Sequence, residues 1–385
     1  MLHDNSISTD VVIIGAGPAG ACAALSVLTY SSLRVVVVEQ SDFSQPRVGE
    51  HVSDSLFSLL DYLQLQKTDF PAACFLPCYG DTTYWGSALP RVRHAIFNSE
   101  SASVQLDRQT FDFTLIEQVI ARGGTLFPRT HCTVTAPTAA ADWLLHCSHP
   151  QQAGFQIRAR YLIDASGRNS ALCRQLGGTT HKLDQLMGAG CFFHCPDQVA
   201  DAQEQLIEST EYGWWYAARL PNQQYVATFF SDADLLSQLR LNQQQHWWQW
   251  LQQSQQLKRL LQHCQPQSMQ PWLRNACSQY SDSHQLQRYI AVGDAVCAFD
   301  PISSMGLGFA ISSACHAARL VVSELQPEPA TVHPAGPTAL TGHQLYQQDI
   351  LAHFSAYQQL RRHFYQSEQR WQQARFWQRR QQTAT

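Results

Sequence analysis

The stretch from Thr9 to Leu25 limits the possible folds more than any other part of this chain. Thr9-Asp10-Val11-Val12-Ile13-Ile14 is a β-branched run that reads as a buried parallel strand. It runs straight into Gly15-Ala16-Gly17-Pro18-Ala19-Gly20 and then a small-residue helix start, Ala21-Cys22-Ala23-Ala24-Leu25. In this strand–turn–helix context Gly15 permits the turn, Gly17 lets backbone approach a pyrophosphate, and Gly20 lets the helix press on the sheet. The helix N-terminus offers free N–H groups and a positive dipole end to the phosphates. A second strand, Leu33 to Val38, ends at Glu39, where an acid accepts hydrogen bonds from an adenosine ribose. That acid disfavours a 2′-phosphate, so FAD or NAD is expected over NADP.

Composition narrows the partners. Only 15% of the 385 residues are charged and 44% are hydrophobic, which favours a sizeable buried core over a disordered chain. The net charge of -4 argues against sequence-independent nucleic-acid binding. Lysine occurs only at Lys67, Lys182 and Lys258. The sequence predicts no membrane span and no signal peptide, hence a cytoplasmic protein whose 12 cysteines are free thiols. The CxxxC pairs Cys74/Cys78 and Cys191/Cys195 lack zinc-ribbon or redox spacing, and the histidines are scattered, so no metal is expected.

Two later segments choose FAD. Tyr161 to Arg168 is a strand ending in Asp164-Ala165-Ser166-Gly167-Arg168, and Tyr289 to Asp294 is a strand ending in Gly293-Asp294. Asp300-Pro301-Ile302-Ser303-Ser304-Met305-Gly306-Leu307-Gly308 follows. With the N-terminal motif, this ordered set resembles the flavoprotein monooxygenases of the para-hydroxybenzoate hydroxylase fold. The resemblance implies an α/β chain in which a Rossmann-type FAD-binding domain (1–75, 105–180, 273–330) interleaves with a β-rich substrate domain (76–104, 181–272). Amphipathic helices over 338–385 follow a Pro/Ala-rich linker from Pro327 to Pro337. It also implies that Asp294 meets the ribityl hydroxyls. Pro301, Gly306, Leu307 and Gly308 would open a helix under the flavin ring, stabilising charge on the reduced ring. Arg108, in Asp107-Arg108-Gln109-Thr110-Phe111-Asp112, would lie near the cofactor.

Pro46-Arg47-Val48-Gly49-Glu50 resembles a segment shared by tryptophan halogenases and related monooxygenases. Arg47 would line the flavin, and Glu50 with His51 would manage protons. Halogenases relay oxidant through a lysine, and the matching region, Phe75 to Tyr79, has none. Their WxWxIP motif is missing too, so halogenation is disfavoured. Gly213-Trp214-Trp215-Tyr216 with Leu220-Pro221, and the tail Phe376 to Arg380, look instead like the LodB/GoxB-type flavoproteins that accompany cysteine tryptophylquinone enzymes. That resemblance implies a monooxygenase that uses FAD, O2 and a reductant such as NAD(P)H or reduced flavin. Its substrate would be a tryptophan in a quinoenzyme precursor protein, with Trp85, Trp214, Trp215 and Tyr216 as substrate walls. Action on a free aromatic or isoprenoid metabolite, and a non-catalytic FAD-bound assembly role, stay open as alternatives.

Overall fold

The computed structural model describes residues 6–49, 51–94, 103–136, 142–196, 204–283, 285–327 and 341–381. Its first sheet is the one the N-terminal motif requires. Strand Ser6–Ile14 pairs in parallel with Val35–Val38 on one side and with Gln152–Asp164 on the other. The order runs Thr125–Phe127, Val35–Val38, Ser6–Ile14, Gln152–Asp164, Trp143–His149, His131–Thr135, and Tyr289–Ala291 also pairs in parallel with Gln152–Asp164. Val11, Val12 and Ile13 are fully buried, as a strand covered on both faces demands. Helix Pro18–Tyr30 covers this sheet beside helix Gly306–Leu325. The latter is long and apolar enough to cross a bilayer by length and composition alone, a property shared by core helices, and about half of it is buried inside the protein.

The second sheet has eight strands and is almost wholly antiparallel. Its central run is Leu186–His194, Gln224–Asp232, Gly213–Leu220, Glu204–Thr210 and Gly80–Tyr84, the last pair being parallel. Side chains alternate across it. Trp215, Ala217, Ala227 and Phe229 face one core with Trp247 and Leu257 from helices Gln244–Leu251 and Gln255–Leu261, while Trp214 and Phe230 face the other way.

Helices Gly342–Ser367 and Arg375–Gln381, in the region where amphipathic helices were expected, contact both sheets. Tyr346 donates to the Ala291 carbonyl at 2.8 Å in the first unit, and the Trp377 indole donates to the Thr210 carbonyl at 2.9 Å in the second. Buried Arg380 pairs with buried Asp232 at 2.5 Å. The linker from residue 328 onwards lies outside the described residues.

The free-thiol expectation fails at one place. Cys195 and Cys264 form a disulfide, with Cα atoms 4.3 Å apart. Pairing of strand Leu186–His194 with Gln265–Pro266 brings these distant cysteines side by side. The other ten cysteines are free, so cysteine usage no longer points uniformly to a reducing compartment.

Candidate flavin and substrate site

A cavity of about 410 Å³ lies between the loops of the first sheet and one face of the second. A second cavity, of about 340 Å³, adjoins it, and the two share Gly17, Pro18, Val48, Arg108 and Arg274. The larger one takes Gly17, Asp294, Pro301, Gly306 and Leu307 from the first unit, and Trp214, Tyr216, Gln205 and Phe230 from the sheet. The smaller one takes Glu39, Arg47 and Asp112.

Each glycine of the N-terminal motif has a separate geometric job. Gly15 sits at φ +105°, and a Cβ there would lie 2.3 Å from the Ala165 carbonyl oxygen. Gly20 is closed in by the Gly15 carbonyl. Gly17 faces open space, with no protein atom within 4 Å of a Cβ. Neither helix Pro18–Tyr30 nor helix Gly306–Leu325 has a side-chain cap, so both present unsatisfied N–H groups where their first turns meet the cavity. Glu39 is pinned by the backbone N–H groups of Ala16 (2.8 Å) and Ser41 (2.7 Å), and its oxygens keep lone pairs for a ribose. Three arginines, Arg47, Arg108 and Arg274, against Glu39 and Asp112 leave this corner net positive, which suits a pyrophosphate. These features fit a dinucleotide that runs from the smaller cavity past Gly17 into the larger one.

Asp112, missed as a site residue, organises the arginines. It is buried, receives Arg108 Nη2 at 3.0 Å and Nε at 3.1 Å, and pairs with Arg47. Arg108 also donates to the Val48 carbonyl at 2.5 Å. Arg47 therefore belongs to the smaller cavity, under the Phe43 ring, and does not line the larger one as expected. Asp294 receives Arg168 Nε at 3.1 Å. Burial alone would lower Arg168, but the Asp294 carboxylate outweighs it and holds the guanidinium charged. The final arginine of Asp-Ala-Ser-Gly-Arg is thus a cavity residue, although the sequence had suggested no role for it.

The loop from Asp300 to Met305 is held from behind. Asp300 is fully buried; its carboxylate accepts the Ile302 N–H at 3.1 Å, Tyr365 Oη at 2.8 Å and Arg361 Nε at 3.2 Å. Arg361 reaches Asp184 at 2.7 Å, and the Trp214 indole donates to Tyr365 Oη at 3.1 Å. One network therefore ties this loop to the substrate-side aromatic wall.

Two of the aromatic assignments are corrected. Trp215 points to the opposite core, because side chains alternate along a strand and Trp214 takes the cavity face. Trp85 packs behind Trp214 and Trp377, its indole donating to the Phe364 carbonyl at 2.9 Å, and is not on the cavity wall. Gly308 is also off the wall, one turn into its helix. Glu50 lies outside the described residues. His51 lines the cavity, and among the described residues neither ring nitrogen has a hydrogen-bond partner. Burial pushes its pKa below the ordinary 6.5, against a smaller opposing pull from Asp81.

Residues 8–328 match the family model described as an FAD binding domain. The chain belongs to that flavoprotein family. It is 40% identical over 97% of its length, and over 97% of the relative, to LodB of Marinomonas mediterranea, which is assigned as an FAD-dependent oxidoreductase. The flavoprotein also shares its fold with the flavin-dependent halogenase CmlS: TM-score 0.82, 22% identity, covering 98% of this chain and 68% of that one. The peptidyl tryptophan dihydroxylase QhpG is a further fold relative, with TM-score 0.75, 22% identity, and 98% and 79% coverage. The cofactor of the present chain is FAD, and the chain is a flavin-dependent oxidoreductase.

Proposed function

We propose that the flavoprotein is a monooxygenase that hydroxylates a tryptophan side chain of a precursor protein during cysteine tryptophylquinone biogenesis. One observation carries the reading. The large cavity sets FAD-side loops against an aromatic wall of Trp214, Tyr216 and Phe230, and none of the three lysines lines it. That combination suits an electron-rich ring and lacks the lysine that the halogenase resemblance requires. Likeness to LodB and to QhpG supports the same direction.

Bound FAD, once reduced, supplies activation of O2. One oxygen atom enters a ring C–H bond and the other leaves as water, with two electrons from a reductant such as NAD(P)H or reduced flavin. The protein binds and orients. Gly15, Gly17, Gly20, Glu39, Arg47, Arg108 and Asp294 would hold the dinucleotide, and the loop and helix start with Pro301, Gly306 and Leu307 would lie on its flavin side. The aromatic wall orients the acceptor and excludes water, which would otherwise waste the oxidant. His51, kept neutral by burial, accepts the proton released from the ring carbon.

The test is an intact-mass measurement. FAD-loaded protein, a reductant and O2 are incubated with the precursor of a cysteine tryptophylquinone enzyme. A gain of oxygen on a tryptophan is expected. Stable binding of the precursor with no mass gain would reduce the flavoprotein to an assembly partner.

A further inference from the structure

Gln205 is a polar side chain of the cavity wall that neither the cofactor cradle nor the proton transfer uses. It stands in strand Glu204–Thr210 and faces the cavity two residues before Ile207, while Leu206 between them faces the opposite core. Its residue exposure is only 7%. Nε2 donates to Asp81 Oδ1 at 2.6 Å, and Asp81, as a carboxylate, can only accept. This bond fixes which way the amide points. Oε1 is therefore the atom left over, and it is buried with no hydrogen-bond partner among the described residues. A buried acceptor without a donor is disfavoured, so the site calls for a donor from its occupant.

The surroundings narrow that donor. Ile207, Trp214, Tyr216 and Phe230 share this face of the sheet and form an apolar and aromatic surface around it. A flat ring with a single N–H at its edge satisfies both demands at once. Resting on the tryptophan reading above, we infer that Gln205 Oε1 accepts the indole N–H of the substrate and thereby selects and orients it. Gln205 is a positioning residue. It sets which ring edge faces the flavin-side loops and takes no part in proton transfer.

The probes are indole and benzothiophene, which differ by replacement of N–H with sulfur. Each is titrated into FAD-loaded protein and followed by the change in flavin absorbance. The wild type is expected to bind indole at least about tenfold tighter, because a site built to bond an N–H rejects the analogue lacking it. In Gln205→Met the preference disappears through weaker indole binding, while benzothiophene binding is unchanged and certifies the folded, loaded protein. Equal affinities in the wild type overturn the inference without any variant. So does absence of indole binding, or a preference that survives in Gln205→Met. A changed ligand-free flavin spectrum with the preference intact would assign the acceptor to the flavin itself and overturn it as well. The intact-mass assay reads separately. Oxygen transfer without N–H preference sinks this inference alone, and N–H preference without oxygen transfer sinks the monooxygenase reading alone.

Discussion

A methyl group added at Gly17 meets no protein atom within 4 Å, whereas one at Gly20 would lie 1.8 Å from the Gly15 carbonyl oxygen. Gly17→Ala is therefore expected to leave the unfolding midpoint of the FAD-free protein unchanged and to weaken FAD at least about tenfold, or about 1.4 kcal/mol. Gly20→Ala is expected to lower that midpoint as well, because backbone must move. Thermal unfolding with and without FAD separates the two. At His51 the sign runs toward acid. Burial holds its pKa below 6.5, so the neutral ring persists through neutral pH and its contribution to stability and turnover is lost as pH falls through the lowered value. Wild-type activity should be level from neutral pH down past 6.5 and decline below that, and His51→Gln should remove the acid limb of the profile. At this scale the glycines and Glu39 were legible because their geometry is local to one turn. Trp214 and Trp215 were not separable, since residue type does not say which face of a strand a side chain takes. Gln205 carried no signal at all; only its partner Asp81, from a distant strand, makes it distinctive.

Elements fail differently from residues, because helix Arg375–Gln381 is tied to the second sheet by a buried ion pair. Asp232 ends strand Gln224–Asp232, and Arg380 lies in helix Arg375–Gln381; their side chains are 2% and 1% exposed. Burial pushes Asp232 up, but the Arg380 and Arg379 guanidiniums outweigh it and leave the carboxyl below its ordinary value. Its contribution is present above 3.8 and lost as pH falls through the lowered pKa. Arg380→Met leaves the buried carboxylate with only the more exposed Arg379, at 2.8 Å, and chemical denaturation should show a loss of about 2–4 kcal/mol at neutral pH, short of that for a wholly unpaired charge. A loss below about 1 kcal/mol would mean that the helix is held by its aromatic side chains alone. The aromatic periodicity of this tail made its helices readable in advance. The charge pairing was unreadable, because an arginine and an aspartate so far apart in sequence advertise nothing until the fold joins them. Helices Gln244–Leu251 and Gln255–Leu261 are separated by Gln252 to Ser254, and Ser254 caps the second by accepting the Leu257 N–H at 3.0 Å.

Across the whole molecule, the family match ends at residue 328, but the site does not. Asp300 in the flavin-side loop finds Tyr365 and Arg361 only in helix Gly342–Ser367, and Trp214 finds the same tyrosine. Sequence motifs singled out the residues of the proposed dinucleotide cradle because those motifs describe its turn and helix starts. They were silent on the rear support of the cradle, which interacts with no ligand and so bears no ligand-shaped pattern. That support has a consequence for the order of events in a cell. A ribosome delivers the glycine turn first and helix Gly342–Ser367 hundreds of residues later. Until that helix emerges, the Asp300 carboxylate lacks Tyr365 and Arg361. The loop from Asp300 to Met305 therefore takes its final form only after helix Gly342–Ser367 has been made.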